Sequence, residues 1–196
     1  MKILLIIQLC FLLCGCLSYQ KYSFTFDYET GKVEKTYYDI RSHEETDKTG
    51  EDWELLKSMA GKKFGKGFDA DVIKPVKAKL FQDGDVLSGK EIYEVQLPKA
   101  FPSKKALLER LHEDPDEEKR LKGLEFQTIN QEIFLFLQRG IEIEASNGKI
   151  IKTEKNNIIV WPEDQTTFEF TLYTKSTGGK SLLPFYLKEK DNAVKK

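Results

Sequence analysis

The sequence predicts one α+β domain, built mainly of antiparallel β-sheet with two or three short helices packed on it. Three observations lead there. Apolar and polar side chains alternate with period two in both halves of the chain, glycine- and asparagine-rich turns separate those runs, and only a few short stretches show helical spacing.

The first strand is the clearest. Tyr22, Phe24, Phe26 and Tyr28 alternate with Ser23, Thr25 and Asp27, and Glu29-Thr30-Gly31-Lys32 supplies turn chemistry before a returning strand over Val33 to Arg41. Ser42 to Gly50 is charged, lacks any apolar residue and reads as a loop. Over Glu51 to Ala60 the period changes: Trp53, Leu56 and Met59 or Ala60 fall on one helical face, and Gly61 ends it. After a glycine- and lysine-rich loop at Lys62 to Gly67, strands resume at Val72 to Phe81 and Val86 to Leu97. Pro75 has no N–H to donate to a ladder, so the first of these lies at a sheet edge or pairs only after it. Ser103 caps a helix carrying Ala106, Leu107, Leu108 and Leu111, and Asp114-Pro115 looks like a second helix start ending near Gly123.

The second half reads as six strands: Leu124 to Asn130, Glu132 to Gln138, Ile141 to Ala145, Lys149 to Glu154, Ile158 to Trp161 and Thr167 to Tyr173. Asn147-Gly148 is the strongest two-residue hairpin signal in the chain. Ile133 to Leu137 is apolar on both faces, which predicts a central strand covered on each side, with Phe136 inside in either register. Ser176 to Gly179 should be flexible, and the polar, lysine-rich stretch Lys188 to Lys196 a disordered tail.

The N-terminus has its own logic. Lys2 is positive, Ile3 to Leu13 is almost wholly apolar, and small Gly15 precedes Cys16. That run is shorter than the roughly 20 residues a permanent transmembrane helix needs, and it reads as a cleavable export signal. Leu13-Cys14-Gly15-Cys16 resembles the lipobox of bacterial lipoproteins, with Cys14 a mild departure from the usual Ala, Ser or Thr. The resemblance implies that Cys16 receives a diacylglycerol, becomes the first mature residue and is often acylated on its amino group. Leu17-Ser18 lacks the aspartate that favours inner-membrane retention in Gram-negative lipoproteins, which implies the outer membrane. The resulting division is residues 1–15 as signal peptide, 16–20 as lipidated tether, 21–175 as the β-rich domain and 176–196 as flexible linker and tail.

Composition narrows the function further. Cys10 and Cys14 leave with the signal, so Cys16 is the one mature cysteine and no internal disulfide can form. The formal charge is −1, or −2 once Lys2 is removed, so no global field attracts nucleic acid.

Chemical motifs are sparse. The two histidines are His43, in an acidic loop with Glu44, Glu45 and Asp47, and His112, placed to meet the last carbonyls of its helix. A catalytic zinc commonly needs about three protein ligands, so the first is better read as a solvated loop. Asp83-Gly84-Asp85 begins like a calcium loop but runs into Val86-Leu87, and is better read as a hairpin turn. Gly61, Gly65 and Gly67 miss the phosphate-loop spacing, although Lys62, Lys63, Lys66 and Lys74 could meet anionic lipid. No nucleophile elbow is present. Catalytic residues, metal and cofactor are therefore all expected to be none.

Trp161 suits core packing or an edge anchor or, alternatively, the aromatic wall of a ligand cleft. Asn157 to Pro162 followed by Phe168 to Leu172 is similar to the end of several uncharacterised bacterial envelope lipoproteins, which implies a domain type and no activity. The expectation is a non-enzymatic, lipid-anchored envelope protein that is held on the membrane and binds another envelope protein or has a structural role. The alternatives are a carrier or sensor of an apolar ligand, lined by Tyr22, Phe24, Phe26, Phe134, Phe136, Phe168 and Phe170, and an envelope hydrolase.

Overall fold

A computed structural model describes residues 17–42, 49–61, 73–96, 103–114, 119–120, 124–154, 156–174 and 178–194. In chain order the elements are β1 (Leu17–Ser18), β2 (Lys21–Asp27), β3 (Lys32–Tyr38), β4 (Arg41–Ser42), α1 (Thr49–Gly61), β5 (Ile73–Asp83) and β6 (Val86–Val95). There follow α2 (Lys104–Leu111), β7 (Glu113–Asp114), β8 (Lys119–Arg120), β9 (Leu124–Ile129), β10 (Glu132–Leu137) and β11 (Ile141–Ser146). The chain continues through β12 (Lys149–Lys152), β13 (Asn157–Pro162), β14 (Thr167–Thr174), β15 (Lys180–Ser181) and α3 (Leu183–Val194).

Antiparallel pairing organises these into a six-stranded sheet ordered β11-β14-β2-β3-β6-β5 and a four-stranded sheet ordered β12-β13-β10-β9. A three-stranded ribbon, β1-β4-β15, and the short pair β7-β8 complete the pairing among the described residues. The first hairpin forms as its alternation predicts: Phe24 pairs with Lys35 and Phe26 with Val33, and Gly31 turns the corner at φ 72°. Pro75 does lie on an edge strand, β5, and the register shifts between Pro75 and Lys77. Ser103 caps α2, its Oγ accepting the Ala106 N–H at 3.1 Å.

The inner faces of the two large sheets build the main core. Tyr22, Phe24, Phe26, Val33, Phe168 and Phe170 from one meet Phe126, Ile133, Leu135, Leu137, Ile159 and Trp161 from the other. Leu107, Leu108 and Leu111 of α2 fill the remaining space. The helices were expected to cover the sheet; most of that cover is instead a second sheet. A smaller cluster joins Ile40, Leu87 and Leu182 to Trp53 and Leu56 of α1, with Leu17, Phe185 and Tyr186 packed against it.

Several expectations are corrected. Asn147-Gly148 does not close a hairpin, because β11 pairs with β14 in one sheet and β12 with β13 in the other. It is the corner where the chain passes between layers. The Asn147 side chain is committed there: Oδ1 accepts from Trp161 Nε1 and from the Glu169 N–H, and Nδ2 donates to Thr167 O. Gly148 lies so close to Trp161 that a Cβ would come within 2.6 Å of its Nε1. The hairpin with both central φ angles positive is Asn130-Gln131, at 50° and 64°, joining β9 to β10.

The second helix expected from Asp114 to Gly123 is absent from the described residues of that stretch: Glu113 and Asp114 pair antiparallel with Arg120 and Lys119. Between Asp114 and Gly123 Leu121 is the sole aliphatic side chain, so a helix there would have almost no face to dock. The supposed tether is ordered from Leu17 onward, since Leu17 pairs with Ser42 and Ser18 with Arg41. Likewise, residues 188–194 of the supposed tail continue α3. Leu182, Leu183, Phe185 and Tyr186 dock it in the smaller cluster, and Glu189 accepts from Trp53 Nε1 at 3.1 Å and pairs with Lys57.

Strand β10 is central in its sheet, yet only one face is fully covered. Ile133, Leu135 and Leu137 are buried, whereas Phe134 and Phe136 point outward, half-buried and stacked on each other with centroids 6.0 Å apart. Phe136→Ala should therefore cost about 1–2 kcal/mol, well below the 3–5 of a fully buried phenylalanine. Urea denaturation of the lipid-free domain checks this; a loss above the upper value would place Phe136 inside after all.

Candidate functional site

Strand β3 carries a charge where its pattern calls for an apolar side chain. Val33, Lys35 and Tyr37 share the inner face, and in β6 Glu91 occupies the same face between Gly89 and Tyr93. Lys35 and Glu91 are direct cross-strand partners, and Lys35 is almost wholly buried. A buried charge persists only where partners replace its water, and both residues have them. The Lys35 ammonium donates to Leu111 O, the last carbonyl of α2, and lies 5.6 Å from the Tyr93 ring centroid. A cation at a helix C-terminus opposes the negative end of the dipole.

Glu91 accepts from the Tyr93 hydroxyl at 2.8 Å and the Tyr37 hydroxyl at 3.5 Å. Burial raises its carboxyl above the ordinary range, partly opposed by the Lys35 charge and these two hydrogen bonds. Tyr22, Tyr37 and Tyr93 are all pushed up as well, chiefly by desolvation. Tyr19 packs beside them, its ring 5.1 Å from Tyr37 and 6.0 Å from Tyr22.

His112 ends the row. It is fully enclosed, with Phe24, Phe126 and Phe170 around its ring at 4.4, 5.3 and 5.8 Å. Nδ1 lies 2.8 Å from Leu108 O, which can only accept, so Nδ1 carries the proton; Nε2 then accepts from the Tyr22 hydroxyl at 3.3 Å. Desolvation, aided by the Lys35 charge, lowers its pKa to about 3 against the helix carbonyl's pull. The residue does meet a late carbonyl of its helix, but as a neutral ring.

These residues form a polar seam between the six-stranded sheet and the end of α2. Its donors and acceptors answer one another, and what they accomplish is positional: they fix β3 against β6 and seat the helix. Sequence reading passed over Lys35 and Glu91, although a charged residue in the apolar register of a strand was the available signal.

Among the other candidates, Trp161 is core: it has no exposed surface and its ring contacts Phe168. Asp83-Gly84-Asp85 is the β5–β6 turn, with Gly84 at φ 59°. Lys74 lies on the edge strand β5. Cys16, His43 with its neighbouring acids, and Lys62, Lys63 and Lys66 fall outside the described residues. Among the described residues, no group of three or more His, Cys, Asp or Glu side chains is placed to hold a metal, and no helix is long and apolar enough to cross a membrane. The chain matches no family model, no curated protein and no solved structure.

Proposed function

We propose that this is a lipid-anchored protein of the bacterial outer membrane with a non-enzymatic binding or structural role. The observation that carries the proposal is Leu13-Cys14-Gly15-Cys16 behind a charged and then apolar leader.

Two features favour binding or structure over the carrier reading. The inner aromatic residues pack on one another, with Phe24 on Phe170 at 5.1 Å and Phe26 on Phe168 at 6.2 Å. Outside, Phe134 and Phe136 are half-buried, and Phe136 stands opposite half-buried Ile158 of β13, giving a small partly exposed apolar strip that suits contact with another envelope protein. The hydrolase reading loses its best histidine, since both His112 nitrogens face a carbonyl and a phenol rather than a carboxylate.

Cys16→Ser should abolish incorporation of a fatty-acid probe and leave uncleaved or mislocalised precursor. Probe retained at wild-type level in that variant would sink the lipid-anchor proposal.

A further inference from the structure

We infer that the outer face of the four-stranded sheet is a self-association surface whose occupant is a second copy of this chain; this deepens the binding reading above and rests on it. Register sets the face out as a grid. Across β12, β13, β10 and β9 one row reads Lys149, Val160, Phe134 and Gln127, and the next Ile151, Ile158, Phe136 and Glu125. A shorter row holds Pro162, Glu132 and Ile129. Phe134, Phe136, Ile151 and Ile158 are half-buried, Val160 is buried, and Lys149, Glu125, Glu132 and Ile129 are exposed.

A second copy is singled out because this grid is its own opposite about the midline. Aromatic rings occupy β10 where aliphatic side chains occupy β13, and a cation marks the β12 rim where an acid marks the β9 rim. A two-fold axis lying along the strands, between β13 and β10, exchanges the two sides. Two such faces stacked about 10 Å apart then set β13 over β10 of the second copy, and β12 over its β9. Val160 faces Phe134 and Ile158 faces Phe136, small against large, as close packing of facing layers requires. Lys149 faces Gln127 of the second copy, with Glu125 and Glu132 diagonal to it. An axis across the strands would instead set Lys149 over Ile151 and leave every charge unanswered.

These charges are free to make that contact. Lys149, Glu125 and Glu132 form no ion pair within the chain among the described residues, and Glu125 takes only the Gln127 side-chain amide, at 2.7 Å. Lys149 and Glu125 stand three strand spacings apart, about 14 Å, too far to neutralise each other in one copy. The footprint sets the strength. Four strands of six residues span roughly 400 Å² per copy, about half of what each partner buries in a stable complex. The dimer is therefore weak and reversible, and favoured where copies are held at high local concentration.

Charge reversal tests this on the purified full chain, its acylation read first by mass. Sedimentation equilibrium in density-matched detergent should show a dimer that grows with concentration. Lys149→Glu or Glu125→Lys alone sets like charges across both rims and should weaken association several-fold. An equimolar mixture of the two variants should regain it, since each mixed pair again opposes acid to cation at both rims. Recovery on mixing separate chains cannot come from repair within one chain. A wild type that stays monomeric at every concentration, a dimer indifferent to both reversals, or a mixture no better than its components overturns the inference. An acylated chain that stays monomeric removes the second copy alone, whereas a charge-sensitive dimer without lipid on Cys16 removes the anchor reading alone.

Discussion

Replacing Trp161 with alanine should destabilise the lipid-free domain by about 3–5 kcal/mol, the range for deleting a fully buried large aromatic. The ring has no exposed surface, and β13, which carries it, is an interior strand of the four-stranded sheet. It reaches across the core to the opposite sheet, with centroids 5.6 Å from Phe168 and 6.1 Å from Phe170. Its Nε1 donates to Asn147 Oδ1 at 2.8 Å, which fastens the corner where the chain changes sheets. Alanine thus removes interlayer packing and a half-buried hydrogen bond together. Trp161→Phe separates them: the ring largely remains, Asn147 Oδ1 keeps the Glu169 N–H, and the loss should fall to about 1–2 kcal/mol. Equal losses in the two variants would assign the whole effect to the indole nitrogen.

Acid should weaken the fold through His112. Its folded pKa of about 3 lies below the 6.5 of an ordinary imidazole, so between those values the unfolded chain binds the proton more readily. The contribution is nearly complete at pH 7 and is lost progressively as pH falls toward 3, about 3 kcal/mol between pH 7 and pH 4. Glu91 acts in the opposite sense, because its raised pKa makes the folded state the better proton acceptor just above the ordinary carboxylate range. The variant His112→Phe isolates the histidine. It sacrifices the bonds to Tyr22 and Leu108 O at every pH, but its stability should decline less than the wild type's from pH 7 to 4. Denaturant titrations at several pH values measure the slope. Parallel profiles for the two proteins would show that His112 does not titrate with unfolding.

Local chemistry announced the elements well and their partners poorly. The alternation of Tyr22 to Tyr28, the cap at Ser103 and the edge character of Pro75 each depend on a few neighbouring residues, and each is where the pattern put it. Asn147-Gly148 has the same local signature as a hairpin, yet long-range pairing assigns its flanking strands to different sheets. The face of β10 that turns inward was similarly undetermined: Phe134 and Phe136 are as apolar as Ile133, Leu135 and Leu137, so only the opposing sheet decides. In the C-terminal stretch the lysines concealed a docking face made by Leu183, Phe185 and Tyr186. The seam of Lys35 and Glu91 was visible only as two charges out of pattern, because their partners come from β6, α2 and one another.

The place of β2 in the six-stranded sheet bears on when this chain can fold. β2 lies between β3 and β14, and the Ser23–Thr171 hydrogen bond joins residues 148 positions apart. The ribbon likewise needs β15 beside β4. While the chain emerges N-terminus first, β2 has one flank satisfied by β3 and the other waiting for β14. Pairings of such long sequence separation form slowly, since much chain entropy is lost before they reward it. An early product is therefore held short of its native sheet, the state that the export proposed above would need. The closing strand acts as a timer, delaying completion of the sheet until β14 has been made.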